Sequence, residues 1–148
     1  MKTLVYVEHE GGQIKDATLA AVTAASKLGE VHALVAGNGI DGVAQAATKI
    51  AGVAKVLHAD AAHLSHDLAE NVAPVAAKLM ANYDAFVAPA STFGKNIAPR
   101  VAALMGVKPD TVISATFVIG AALAALAGVM YAANYGSVQH TMGFLPGL

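Results

Sequence analysis

Short apolar runs and amphipathic stretches alternate along roughly the first two thirds of the chain. Runs of four or five mostly apolar residues, bounded by Gly, Asn or Asp, are typical of buried strands. Such runs predict strands at 3–7, 32–35, 54–58 and 85–88. Apolar residues three or four positions apart predict helices at 16–28, 41–50 and 65–82, and a fourth helix from the turn at 91–92 to about 105.

The order of these elements indicates the fold class. Strands that alternate with helices favour a parallel sheet with right-handed crossovers, and strands apolar throughout favour a sheet covered on both faces. We therefore expect an α/β fold with a Rossmann-like parallel sheet and flanking helices. Gly29 is expected to close the first helix as its C′ residue, and Ser65 to cap the third.

The pattern changes after residue 110. Residues 111–148 contain no Asp, Glu, Lys or Arg, and 112–131 form an uncharged run long enough to span a bilayer, which needs about 20 residues. Lys95, Arg100 and Lys108 precede it, so an inserted segment would keep the α/β part cytoplasmic. The alternative is a buried core helix, which is also apolar all round. Any membrane contact is therefore expected through residues 112–134.

Composition narrows the functional classes. A chain of 148 residues allows one domain of ordinary size, and the formal net charge of -1 argues against nucleic acid as a partner. The absence of cysteine excludes disulfides, thiolate metal ligands and cysteine nucleophiles. A strand is predicted directly after Met1 and Lys2, so no signal peptide is expected and the predicted location is cytoplasmic.

A glycine-rich turn follows the second predicted strand. Gly37, Gly39 and Gly42 satisfy the GxGxxG pattern, with Asp60 further along the chain. Backbone N–H groups at such a turn can cradle a pyrophosphate at a helix N-terminus. The pattern follows the second strand rather than the first, however, and an ordinary β-to-α loop has the same composition. We therefore expect no cofactor site in this chain. Gly37, Gly39 and Gly42 are the weak candidates for cofactor binding.

A group of titratable residues surrounds the start of the predicted third helix. Its members are His58, Asp60, His63, His66, Asp67 and Glu70. They lack the HExxH spacing of a helical zinc site, and a third ligand would have to come from a connecting segment. We interpret them as a solvated helix start and expect no metal site.

The turn before the fourth helix carries Ser91, Thr92, Gly94 and Lys95. These residues could hold an anion at the helix N-terminus, or Ser91 or Thr92 could simply cap the helix with Lys95 solvated. Ser91 is not in a GxSxG elbow and no base can be assigned to it. No catalytic residue is therefore expected.

Five stretches together resemble the amino-terminal domain of the alpha subunit of electron transfer flavoprotein. They are 1–9, 16–19, 34–37, 68–74 and, as the most specific, APASTFGKNIAPRVAA at 88–103. The resemblance covers residues 1 to about 107. It implies a heterodimer that passes electrons from acyl-CoA and related dehydrogenases, as in fatty acid β-oxidation, to a membrane quinone oxidoreductase. It also implies that FAD lies mainly in the alpha subunit's second domain, that AMP lies in the beta subunit, and that this domain is structural and contacts the beta subunit.

A second resemblance begins after a junction at 108–111. Residues 112–148 are similar to the inner-membrane permease of branched-chain amino acid ABC transporters, through 116–129 and 134–144. The spacing G-x-x-Q-H-x-x-G at 136–143 is also similar to a flavin-contacting stretch of the alpha subunit, which we interpret as coincidence. The expected protein is a fusion of a truncated alpha-subunit domain (1–107) with a permease-like segment (112–148), and it is expected to bind no FAD. A membrane-tethered permease fragment is the alternative.

Overall fold

Parallel strands form the main sheet of the protein. The computed structural model describes residues 1–66 and 68–135, and the chain divides into two units, Met1–Val107 and one that begins at Lys108. The strands of the first unit are β1 (Lys2–Tyr6), β2 (His9–Glu10), β3 (Gln13–Ile14), β4 (Glu30–Gly37), β5 (Val53–Asp60) and β6 (Ala85–Val87). The main sheet has the order β5-β4-β1-β6, and all three of its pairings are parallel. The predicted α/β fold class is confirmed.

Helices pack on both faces of this sheet. They are α1 (Asp16–Ser26), α2 (Asp41–Ala47), α3 (Ala69–Leu79) and α4 (Thr92–Leu104), with 3-10 turns at Ala62–Leu64 and Met80–Asn82. Successive residues of β1 point to opposite faces: Leu4 and Tyr6 are buried in the cluster of α3 and α4, and Val5 in the cluster of α1. Because helices cover both faces, buried residues follow one another without alternation along 3–6 of β1 and 31–37 of β4.

Two local predictions differ from the structure, and one element was not predicted. Ser65 does not cap α3, because residues 62–64 form a 3-10 turn and the helix begins after Leu68. Gly29 lies two residues beyond Lys27, the C-cap of α1; a Cβ at Gly29 would overlap the Met1 carbonyl oxygen, so a close backbone approach requires this glycine. The β2–β3 hairpin was not predicted, although its turn, Gly11-Gly12 with φ of 57° and 81°, is a familiar hairpin signal.

The second unit contains one long helix, α5 (Pro109–Tyr135). Within α5, the 25-residue segment Asp110–Asn134 has a mean hydropathy of 2.2, and none of its most apolar part is buried. At 1.5 Å per residue it is about 37 Å long, which exceeds the roughly 30 Å hydrocarbon core of a bilayer. Length and composition therefore allow α5 to cross a membrane. The 136–143 motif, the rest of the permease-like segment and Asp67 lie outside the described residues.

Candidate functional site at the carboxyl edge of the sheet

The strand order directs attention to one edge of the sheet. From β1 the chain moves outward through β4 to β5, and it then returns to the other side of β1 to form β6. The order therefore reverses between β1 and β6. In open α/β sheets, ligands bind outside the carboxyl ends of the strands at such a switch point.

A crevice of about 170 Å³ lies at this switch point. It is lined by Tyr6, Glu8, His9, Glu10, Lys15 and Phe93. The rings of Tyr6 and Phe93 form an aromatic wall, with centroids 5.3 Å apart and planes tilted by 35°. The rest of the wall is polar and comes from the end of β1 and the β2–β3 hairpin. The volume of the crevice is below the roughly 300–1,000 Å³ of pockets for drug-sized ligands.

Glu8 is the buried charged group of this crevice, with 8% of its surface exposed. Its backbone N–H donates to Thr18 Oγ1 (3.0 Å), and the fully buried Thr18 hydroxyl donates back to the Glu8 carbonyl oxygen (3.2 Å). Lys15 Nζ lies 3.2 Å from Glu8 Oε1 and 3.0 Å from Glu10 Oε2. Glu8 Oε2 is buried without a hydrogen-bond partner among the residues that the structure describes.

These carboxylates decide what Lys15 can do chemically. Hydrogen bonds from Lys15 to Glu10 and then to Glu8 raise its pKa above the usual value, because they favour the charged form of the amine. A lysine that stays protonated is neither a nucleophile nor a base. The ion pairs of Lys15 with Glu8 and Glu10 join the β2–β3 hairpin to the start of α1.

The turn between β6 and α4 contains the predicted N-terminal cap of α4. Ser91 has extended backbone angles (φ -77°, ψ 172°), and its Oγ accepts the Gly94 N–H at 3.0 Å. A Cβ at Gly94 would overlap the Pro89 carbonyl oxygen, so only glycine fits here. The cap interpretation of Ser91 is confirmed. One N–H group that an anion could have used is already satisfied.

The glycine-rich turn after β4 is also satisfied internally. The Gly39 N–H lies 3.1 and 3.0 Å from the two carboxylate oxygens of Asp60, and the Ile40 N–H donates to Asp60 Oδ2 at 3.2 Å. A Cβ at Gly37 would come within 2.6 Å of the Ile40 side chain, whereas one at Gly42 would meet open space. A phosphate bound here would have to displace the Asp60 carboxylate. The structure thus joins Asp60 to the turn, but as its anchor.

The predicted titratable group is divided in the structure. His58 Nε2 lies 3.7 Å from Asp60 Oδ2 and 3.6 Å from Asp41 Oδ1, an acid that the sequence reasoning did not include. Glu70 is paired with Arg100 at 2.7 Å instead. Asp41 begins the helix after β4, and it meets His58 because β4 and β5 are neighbours in the parallel sheet of the folded protein.

Comparisons with known proteins agree with this fold. Residues 3–126 match the family described as "Electron transfer flavoprotein domain". Over 108 residues the chain is 51% identical to "Electron transfer flavoprotein subunit alpha" of Pseudomonas aeruginosa, covering 72% of this chain and 35% of that protein. The subunit alpha of Bradyrhizobium diazoefficiens is 53% identical over 108 residues (72% and 34% covered), and the mitochondrial one of Dictyostelium discoideum 42% over 113 (70% and 32%). The chain spans about a third of the length of these relatives.

Proposed function

Since the chain belongs to the electron transfer flavoprotein domain family, we propose that Met1–Val107 is the amino-terminal, partner-contacting domain of an electron transfer flavoprotein alpha subunit. The observation that carries this is the identity above 50% to two alpha subunits over 108 residues. In the complete carrier, electrons would come from acyl-CoA and related dehydrogenases and leave to a quinone oxidoreductase. The proposed partner of this chain is an electron transfer flavoprotein beta subunit, and the proposed location is cytoplasmic.

The role proposed for this domain is structural, without a catalytic site. The polar groups at the carboxyl edge mostly satisfy one another: Lys15 is held by two carboxylates, Asp60 by two backbone N–H groups, and Ser91 by the Gly94 N–H. The switch-point crevice is small for a cofactor of the size of FAD. We therefore propose that this unit holds no FAD, and that AMP belongs to the beta subunit.

Affinity capture with a tagged beta subunit tests the proposal. The chain is expected to bind the beta subunit while showing no flavin absorbance when purified alone. Lys95, exposed on α4 within the stretch that most resembles the family, is the proposed contact, so Lys95→Glu should weaken capture about tenfold or more, as loss of about 1.4 kcal/mol does. Lys49→Glu, an equally charged change after α2, is the control.

Two results would contradict this assignment. Failure of the unmodified chain to bind any beta subunit removes the proposed partner, and a yellow chain with flavin absorbance removes the proposed absence of FAD. If Lys49→Glu weakens capture as much as Lys95→Glu, the contact is not on α4.

A second candidate function rests on α5. We propose as this second candidate that 112–148, joined at 108–111, is a membrane-tethered fragment of a branched-chain amino acid permease. The length and apolar composition of the 25-residue segment of α5 support the tether, and the permease identity rests on the resemblance of the sequence alone. The family match continues to residue 126, inside that segment. Under this second proposal, residues 112–134 tether the unit that contains the sheet to the inner membrane.

Carbonate extraction of membranes tests the tether. A spanning chain stays in the pellet, and Leu123→Arg should shift it to the supernatant because Arg at a helix centre costs about 2.5–3.5 kcal/mol. Leu123→Ala is the matched control and should stay in the pellet. Recovery of the unmodified chain in the supernatant would contradict the proposed tether and would leave the beta-subunit proposal intact.

A further inference from the structure

Three possible metal ligands converge beside the open edge of the sheet. They are Asp41, the first residue of α2, and His58 and Asp60 on the edge strand β5. One ligand atom from each residue lies within 4.8 Å of the other two. The group unites an imidazole with two carboxylates, drawn from two elements that are adjacent only in the folded protein.

The spacing of these atoms is close to that of a coordination sphere. His58 Nε2 is 3.6 Å from Asp41 Oδ1 and 3.7 Å from Asp60 Oδ2, which is too long for hydrogen bonds. Zinc binds nitrogen and oxygen at about 2.0–2.2 Å, so two ligands in a tetrahedral site lie about 3.4 Å apart. Movements of a few tenths of an ångström would bring His58 to that distance from each carboxylate, and the two carboxylates lie within 4.8 Å of each other.

Two of the three side chains are already positioned. Since His58 and Asp60 are two residues apart on a strand, they point to the same face of β5. The N–H groups of Gly39 and Ile40 hold the Asp60 carboxylate, and hydrogen bonds of this kind orient ligating carboxylates in metal sites. The Asp41 side chain is 83% exposed and can turn toward His58.

The tertiary structure changes the expectation drawn from sequence. Sequence proximity grouped His58 and Asp60 with His63 and His66, a combination for which no ligand geometry was apparent. The structure supplies Asp41 instead, from the start of the helix after the neighbouring parallel strand. The remaining coordination positions face solvent and would be filled by water.

We propose that Asp41, His58 and Asp60 bind one divalent transition-metal cation that links the turn after β4 to the edge strand β5. One imidazole and two carboxylates suit Zn²⁺ or Mn²⁺, whereas Mg²⁺ prefers an all-oxygen, octahedral site. The cation would act as a cross-link at an otherwise exposed sheet edge. This assignment is independent of the beta-subunit proposal.

Isothermal titration of the full-length chain, without a histidine tag, with ZnCl₂ in a non-chelating buffer tests this site. We expect one Zn²⁺ per chain and at least a tenfold loss of affinity in His58→Ala and in Asp41→Asn. His63→Ala removes another histidine near the end of β5 and should bind as the unmodified chain does. MgCl₂ should give no comparable binding.

A second readout separates binding from misfolding. Zn²⁺ should slow amide hydrogen exchange at residues 38–41 in the unmodified chain and have no such effect in His58→Ala, whose exchange without metal should match the unmodified chain. The proposal is overturned if no saturable heat is seen, or if His58→Ala and Asp41→Asn bind as tightly as the unmodified chain. It is also overturned if His63→Ala loses as much affinity as they do, since the zinc then sits elsewhere.

Discussion

Replacing Gly94 by alanine tests the close approach of α4 to the end of β6. Gly94 is buried in the first turn of α4, and a Cβ there would overlap the Pro89 carbonyl oxygen. The overlapping atom belongs to the backbone, so it cannot rotate away as the end of a flexible side chain could. Relief requires moving either the helix or the strand end, and the first would also disturb the Ser91 cap.

The net effect is the difference of two opposing terms. Alanine in place of glycine within a helix gains about 0.5–1 kcal/mol, because the unfolded chain loses less freedom on folding. Overpacking in a well-packed region costs about 1–3 kcal/mol. Since the overlap at Gly94 is with fixed backbone, we take the upper part of that range and expect a net loss of about 1–2 kcal/mol in the free energy of unfolding.

Gly42 provides a matched control in the same chain. It also lies in the first turn of a helix, α2, but a Cβ there meets nothing within 4 Å. Gly42→Ala should therefore show only the favourable term, a gain of about 0.5–1 kcal/mol. The same substitution is thus expected to have opposite signs at the two positions.

Hydrogen exchange of the β1 amides measures both effects. β1 is hydrogen-bonded on both sides within the sheet, so its amides exchange mainly when the whole unit opens. A loss of 1–2 kcal/mol corresponds to exchange faster by a factor of about 5–30, and Gly42→Ala should be slower than the unmodified chain. The reasoning is refuted if Gly94→Ala exchanges no faster than the unmodified chain, or if Gly42→Ala is destabilised to the same extent.

Three further predictions concern caps, a buried hydroxyl and pH. Ser91→Ala should cost about 1 kcal/mol in urea unfolding by loss of the cap, and Ser65→Ala less than about 0.5 kcal/mol; equal costs would contradict the cap. Thr18→Val should cost about 1–3 kcal/mol in the same assay, because it leaves a buried backbone N–H unsatisfied; a neutral change would argue against that bond. The hydrogen bond with His32 lowers the pKa of Glu30 below its ordinary 4.5, so its stabilisation is present above that pH and is lost as the pH falls through the lowered value. The stability difference between the unmodified chain and Glu30→Gln should accordingly shrink from pH 7 to pH 3, and a constant difference would refute this.

Local patterns in the sequence determined much of this protein. Apolar runs and the spacing of apolar residues predicted the four strands of the main sheet and their helices, because burial on one or both faces shapes the pattern of each element. The uncharged run at 112–131 lies within α5. The cap of α4 could be narrowed to Ser91 or Thr92 from the sequence because a cap and its partner lie within one turn, and the structure selects Ser91. The stretch at 88–103, together with the four other stretches that resemble the alpha subunit, pointed to the family that the comparisons found.

Contacts between distant residues were decided by the tertiary structure alone. The sequence assigned Gly29 to a helix end. A glycine is required there because the pairing of β1 with β4 brings the Met1 backbone close to it. Asp60 anchors the Gly39 turn, and Asp41 joins His58, because β4 and β5 are parallel neighbours whose carboxyl ends meet at one edge. Hydrophobic periodicity reports which residues are buried, but it carries no record of which strand lies beside which. The sequence therefore determined the elements, while the order of the strands decided which polar side chains meet at the edge.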